Sequence, residues 1–352
     1  MAQLRRLMKS FWLFSLVVLL CWSCANNSPS PISTSTSNIT AASDCRMIYH
    51  DAGQTEICGQ PTKVAALSPH ILDMMLSLDE EPVGYSEADM TAQMLRRPKF
   101  DNPAEQIPIV GDRIIGTPVN LGDRKNPSLE VLTRLNPALI LGEAWQGTNG
   151  RYELFSQIAP TVLLDDERGW TRTLPTIAQI FDKRAQQEQI IADYESRVAN
   201  ARQELSSVVK KYPNALVISS GDLSSAIYPY SNSEYTRLLE SLGFQLISVE
   251  NNIPEGASQL SMEALSQFEM DILMVVAWEA SDEEGPDDWK NRQREWNETP
   301  LLKNMPVSKA GRVYFVDAYP STLRGPIAAE EILEDYLEYL RPLIQENKAS
   351  RA

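Results

Sequence analysis

Histidine is nearly missing from this chain: among 352 residues only His50 and His70 carry an imidazole. A three-histidine metal site is therefore excluded, and hydrolytic schemes that use histidine as the base have little to draw on. No Gly-x-Ser-x-Gly elbow, His-Glu-x-x-His helix or glycine-rich phosphate loop occurs, which removes the common serine, zinc and nucleotide-dependent enzyme classes. His70, in Ser68-Pro69-His70, reads as a cap or cleft lining, because no nucleophile of recognisable context accompanies it. Positive charge is also scarce. With 32 Lys plus Arg against 47 Asp plus Glu the formal charge is −15, so a general attraction to nucleic acid is excluded and any anionic ligand must be met locally. After the N-terminal segment no apolar run reaches the roughly 20 residues that would span a bilayer.

The first residues read as a leader. Arg5, Arg6 and Lys9 precede the apolar run Phe11 to Trp22, which is too short to span a membrane and reads as a secretory signal over residues 1–23. It ends in Leu20-Cys21-Trp22-Ser23-Cys24, which resembles the bacterial lipobox and makes Cys24 the expected acylation site; Cys21 stands where that pattern usually has Leu. Residues 24–44 are dominated by Ser, Thr, Asn and Pro and read as a flexible tether. An exported, lipid-anchored protein in the periplasm or cell envelope is expected. Of the 4 cysteines, Cys21 leaves with the leader and Cys24 takes lipid, so Cys45 and Cys58 remain to pair in an oxidising compartment. The turn signal Asp51-Ala52-Gly53 between them predicts two short paired strands.

From Pro61 onward short apolar runs alternate with amphipathic ones, the pattern of β-α units. Strands are predicted at Val64–Leu67, Val83–Tyr85, Ile107–Val110, Ala138–Leu141 and Thr161–Leu164, with helices at Ile71–Leu78, Ser128–Leu135 and Tyr152–Ile158. A second set comprises strands Ala215–Ser219, Phe244–Val249, Ile272–Val276 and Val313–Val316 and helices Glu234–Leu242, Met262–Phe268, Trp289–Trp296 and Ala328–Leu340. Between the sets, Arg172–Lys210 lacks glycine and keeps Leu174, Ile177, Phe181, Ile191, Tyr194, Val198, Ala201, Leu205 and Val208 on one helical face. The expected fold class is α/β: two small lobes, 45–171 and 212–346, bridged by a long rigid helix over 172–211 that is interrupted near Asp182 to Ala185.

Several segments then resemble one family. Lys63-Val64-Ala65-Ala66-Leu67-Ser68-Pro69, Pro82-Val83-Gly84-Tyr85, Gly122-Asp123-Arg124-Lys125-Asn126-Pro127-Ser128-Leu129-Glu130 and Leu135-Asn136-Pro137-Ala138-Leu139-Ile140-Leu141 form the first group. Leu238-Leu239-Glu240-Ser241-Leu242-Gly243-Phe244, Leu260-Ser261-Met262-Glu263-Ala264-Leu265 and Ala310-Gly311-Arg312-Val313-Tyr314-Phe315-Val316-Asp317 follow in order. Together they look like the helical-backbone substrate-binding proteins that deliver ferric siderophores, haem or cobalamin to ABC importers. The resemblance implies a ligand cleft between the lobes, no catalysis, no resident cofactor and no directly bound metal. It implies a monomer that hands a ferric siderophore of hydroxamate or citrate type to a permease dimer. Cobalamin, haem and a non-transport sensor lipoprotein on the same scaffold are the alternative readings.

The family pattern also assigns residues. Glu130 and Glu263 match the glutamates, one per lobe, that dock on the importer; they are expected on one side of the molecule, away from the ligand. Each also lies in a predicted first helical turn, where negative charge is favoured in any protein. Arg124 matches the arginine that hydroxamate binders aim at their iron complex, and a guanidinium suits oxygen-rich anionic chelates. Trp145, Trp278 and Tyr319 each follow the carboxyl end of a predicted strand, the edge at which open α/β sheets bind ligands. Tyr85, Tyr228 and Arg324 are further ligand candidates on the same reasoning.

Overall fold

A computed structural model describes residues 45–88, 95–165, 169–224, 226–249, 259–278 and 288–349. The leader, Cys24 and the tether lie outside the described residues. The first two strands, β1 (Cys45–His50) and β2 (Gly53–Cys58), pair antiparallel about a turn at Asp51 and Ala52. Cys45 faces Cys58 in register and the two form a disulfide. Ile48 and Ile57 turn the inner face of this hairpin into the core, while Arg46 donates to the carbonyls of Gln179 and Ile180.

Parallel strands joined by β-α crossovers would be unstable with a wet face, and the sequences of the central ones show why they are buried on both. Leu139–Glu143 and Ile272–Ala277 are buried at every position, as strands of a covered parallel sheet must be. The first sheet takes the parallel order β5 (Val119–Asp123), β4 (Gly84–Glu87), β3 (Val64–Ala66), β6 (Leu139–Glu143), β7 (Thr161–Leu164). The second runs β10 (Gln245–Leu246), β8 (Asn214–Asp222), β11 (Ile272–Ala277), β12 (Val313–Asp317), all parallel. An antiparallel strand, β9 (Ala226–Pro229), folds back onto the carboxyl half of β8. Serine hydroxyls cap the helices that begin at Pro69, Leu129, Glu234 and Met262, through Ser68, Ser128, Ser233 and Ser261.

Two predicted strands are corrected. Ile107–Val110 is a turn after the short helix Pro103–Gln106, with Ile109 at φ +65°. Its apolar residues are there to fill the core, since Ile107 and Val110 are buried, and not to pair. The strand of that region is β5, whose Val-Asn-Leu-Gly-Asp sequence lacks the apolar run that signals one. Phe244–Val249 pairs only over Gln245 and Leu246.

The bridge is also in pieces. Trp170–Phe181 ends at Asp182, in the left-handed region at φ +55°, and Arg184–Glu204 continues before a further turn at Leu205 leads into Ser206–Lys211. At about 1.5 Å per residue the middle piece is roughly 30 Å long. It passes from one core to the other: Ile190, Ile191 and Tyr194 pack on the first lobe, Val198 and Ala201 on the second. A second tie was not foreseen. The last helix, Pro326–Ala349, begins with Ile327, Ala328 and Ala329 in the core of the first lobe and continues with Ile332, Leu333, Tyr336 and Leu340 in that of the second. Arg197 pairs with Glu330 and Glu334 of this helix, and Arg341 makes a forked pair with Glu204 at 2.8 and 3.2 Å, so the two ties run side by side.

Candidate ligand cleft

The carboxyl ends of the parallel strands carry most of the predicted site. β5 ends at Asp123 and the chain turns through Gly122, at φ +91°, a conformation that favours glycine. The Asn120 and Asp123 side chains accept from the amides of Gly122 and Lys125. Arg124 follows. Its backbone is gripped on both sides: its N–H donates to Glu87 O at 2.8 Å, and its carbonyl accepts from Gln146 Nε2 at 2.8 Å. The guanidinium lies over the Trp145 ring, 5.9 Å from the centroid, and Arg124 Nε is buried without a hydrogen-bond partner among the described residues.

Trp145 stands just past β6, half-exposed, with its indole N–H donating to Glu143 Oε2 at 2.8 Å. The same oxygen accepts from Arg324 Nη2 at 2.6 Å. Glu143 is fully buried. Burial alone would raise its pKa, but the charges of Arg324 and His70 and hydrogen bonds from Ser68 and Trp145 hold it at about 2. Arg324 comes from the other end of the chain, at φ +54°, and its neighbours are tied to the first lobe. His70 Nδ1 donates to Leu323 O at 3.0 Å, with burial lowering the imidazole pKa to about 4. Asp73 accepts from the amides of Gly325, Ile327 and Ala328 at 3.0 to 3.2 Å, and burial raises its pKa to about 6.

A second contact joins the lobes beside the first. Tyr319 Oη donates to Glu87 Oε2 at 2.9 Å, and Ala88 N–H donates to Glu87 Oε1 at 2.6 Å. Burial raises Glu87 to about 7, opposed by those donors and by the charge of Arg124. Tyr85, a predicted ligand candidate beside Glu87 and Tyr319, is wholly buried and packs on Phe100 with centroids 5.4 Å apart, so it presents no exposed surface to a ligand. Trp278 and Tyr228 form a separate aromatic pair on the second lobe, 6.5 Å apart, with Tyr228 Oη accepting from Gln259. Trp278 rests flat on Gly221, where a Cβ would come within 2.7 Å of the ring.

Glu130 and Glu263 are exposed and follow their capping serines. The helix bearing Glu130 starts where Ser128 N–H donates to Leu121 O, after the strand that leads to Arg124. Near Glu263, Leu260 N–H donates to Ile227 O, whose residue pairs with Ser220 at the carboxyl half of β8. Each glutamate therefore lies at the start of a helix whose flanking backbone bonds to the strands of its own lobe.

The order of these elements agrees with a family model. Residues 64–320 match the model described as periplasmic binding protein. The chain belongs to the periplasmic binding protein family. Among its relatives, the Fe(3+)-citrate-binding protein YfmC of Bacillus subtilis (strain 168) is 28% identical over 338 residues, covering 94% of this chain and 95% of the relative. The probable siderophore-binding lipoprotein YfiY of the same organism is 25% identical over 331 residues, covering 92% and 94%. Staphylococcus aureus SirA complexed with staphyloferrin B superimposes with a TM-score of 0.66 at 24% identity, over 84% of this chain and 98% of that one. That likeness shows the two-lobed fold.

Within this binding-protein frame, sequence reading missed Glu87, Glu143 and Tyr230. The first two are the last residues of β4 and β6, and the predicted strands stopped two residues short of each. Extending both strands would have placed an acid at each end, though acids are seldom fully buried. Tyr230, past β9, lies within electrostatic reach of both arginines: burial raises its pKa, while Arg324 and Arg124 lower it.

Proposed function

We propose that this protein captures a ferric chelate presenting anionic oxygens, of the citrate or hydroxamate siderophore type, and delivers it to an ABC importer. Arg124 carries the reading, because its buried Nε has no partner among the described residues while its backbone and ring neighbour hold it still. A guanidinium held in this way offers directed, permanently charged donors to chelate oxygens. Arg324 supplies a second cation from the opposite end of the chain, and Trp145, Trp278, Tyr228 and Tyr319 provide aromatic walls at the same sheet edges. The relatives named above, an Fe(3+)-citrate-binding protein and a probable siderophore-binding lipoprotein, favour this ligand class. In this reading Glu130 and Glu263 engage a permease dimer, Cys24 anchors the protein by lipid, and the protein holds its cargo without transforming it.

The test is tryptophan fluorescence quenching of the folded protein with ferric citrate, a ferric trihydroxamate, a ferric catecholate, haem and cobalamin. Saturable quenching by ferric citrate or the trihydroxamate supports the reading. Saturable quenching by cobalamin or haem alone replaces it.

A further inference from the structure

An arginine 181 residues away in sequence and the indole of a neighbouring tryptophan meet at one carboxylate. Glu143 Oε2 accepts from Trp145 Nε1 and from Arg324 Nη2, at 2.8 and 2.6 Å, and the Trp145 ring in turn lies against the Arg124 guanidinium. The carboxylate itself is fixed at the end of a fully buried strand, with Glu143 N–H donating to Gln146 Oε1 and Gln146 Nε2 donating onward to Arg124 O and Leu67 O. Arg324 has little backbone freedom, since Leu323 and Gly325 on either side are bound by His70 and Asp73.

We propose that Glu143 is the positioning residue of the cleft, holding Arg324 and the Trp145–Arg124 stack in one frame so that the two guanidiniums grip carboxylate oxygens on two sides of a ferric carboxylate chelate. The inference rests on the reading that the protein binds ferric chelates, and it narrows that reading to the carboxylate class. Charge compensation follows from the same geometry: Glu143 balances Arg324, and Arg124 makes no ion pair within 4.0 Å among the described residues. The cleft therefore offers directed donors with modest net charge. Ligands are distinguished by where their oxygens lie as well as by their total charge.

Glu143→Gln keeps an acceptor for the indole and removes the charge that fixes Arg324. It should weaken ferric citrate by about tenfold or more, while a neutral ferric trihydroxamate changes by less than about threefold. A merely structural defect would weaken both chelates alike. Removing one partner of a buried ion pair can prevent folding, so Glu143→Gln with Arg324→Gln, which leaves two neutral amides, is the second variant. Because Glu143 acts through Arg324, the double variant should bind ferric citrate within about threefold of Arg324→Gln alone. Wild-type or tighter binding of ferric citrate by Glu143→Gln, equal losses on both chelates, or a further tenfold loss in the double variant would each overturn the positioning role while leaving the binding function in place. A wild-type protein that takes the trihydroxamate but not ferric citrate would overturn the carboxylate preference. A wild-type protein that takes neither chelate would bring down the proposed function itself, and the positioning role with it.

Discussion

Glu130 and Glu263 occupy equivalent places in the two lobes. Each is the second residue of a short helix whose capping serine accepts from a backbone amide, Ser128 from Val131 and Ser261 from Ala264, and each precedes a half-exposed tryptophan by fifteen residues. In both cases helix, buried strand and tryptophan follow in that order, through β6 to Trp145 and through β11 to Trp278. A partner that engages both carboxylates would therefore meet equivalent places on the two lobes.

Replacing both glutamates with alanine should leave ligand affinity unchanged and cost less than about 1 kcal/mol of stability at each helix start. Uptake of labelled ferric chelate by cells should fall, and further with arginine at both positions, since like charges would then face each other at the interface. Undiminished uptake by the alanine pair would remove the docking role.

Arg124→Ala should weaken the ferric chelate by about tenfold or more, since a charge-assisted donor contributes roughly 1.5 to 3 kcal/mol. Stability should hardly change, because the residue is anchored by its backbone. Isothermal titration beside a urea melt separates the two effects. Unchanged affinity would return Arg124 to the status of a surface arginine.

Gly221→Ala should displace Trp278, whose ring atoms lie 2.7 to 2.8 Å from the added methyl position. We expect altered tryptophan emission and weakened chelate binding, with a stability loss of about 1 to 3 kcal/mol. Emission and affinity identical to wild type would show that Trp278 is free to move aside.

Reduction of Cys45–Cys58 should lower stability by roughly 2 to 4 kcal/mol, the entropy of a short closed loop regained by the unfolded chain. Binding should survive, because the hairpin is bonded to β7 and to the helix ending at Phe181 and contributes no hydrogen bond to Arg124 or Trp145 among the described residues. Thiol labelling of the folded, unreduced protein at either cysteine would contradict the bond.

The buried titrating groups give stability a readable pH dependence. Asp73 and Glu87, raised by burial to about 6 and about 7, keep their protons longer when folded, so each makes stability fall as pH rises towards those values. His70, lowered by burial to about 4, does the opposite between there and 6.5, where only the unfolded chain binds its proton. Glu143, held at about 2, contributes stability that is lost only below the ordinary carboxylate range. His70→Asn removes the rising contribution, so its unfolding free energy should decline from about pH 4 to 6.5 relative to wild type. Parallel profiles in urea titrations would contradict this assignment.

The sequence made the β-α alternation legible because covered parallel strands are runs of apolar residues, as in Ile272–Ala277. It misplaced β5 because Val-Asn-Leu-Gly-Asp carries its buried leucine between polar groups that shape the Arg124 loop. Trp145 and Tyr319 were readable from their position after strands and Arg124 from the family pattern, and the structure places them beside Glu87 and Glu143. Those two acids were hidden because a buried carboxylate is recognisable only once its donors, Tyr319 and Arg324, are brought from more than 180 residues away. The break at Leu205 has no glycine or proline to announce it.

The last helix has a consequence for the order of assembly. Leu323, Ile327, Ala328 and Ala329 complete the core of the first lobe, and the bonds that seat them, from His70 to Leu323 and from Ile327 to Asp73, join residues 253 and 254 positions apart. A chain emerging amino end first holds all the strands of that lobe long before it holds these side chains. Closing so long a loop is slow, and it cannot begin until the far end arrives. The lobe made first is thus finished last, and in the interval it is the lobe whose apolar surface stands open to chaperones and proteases.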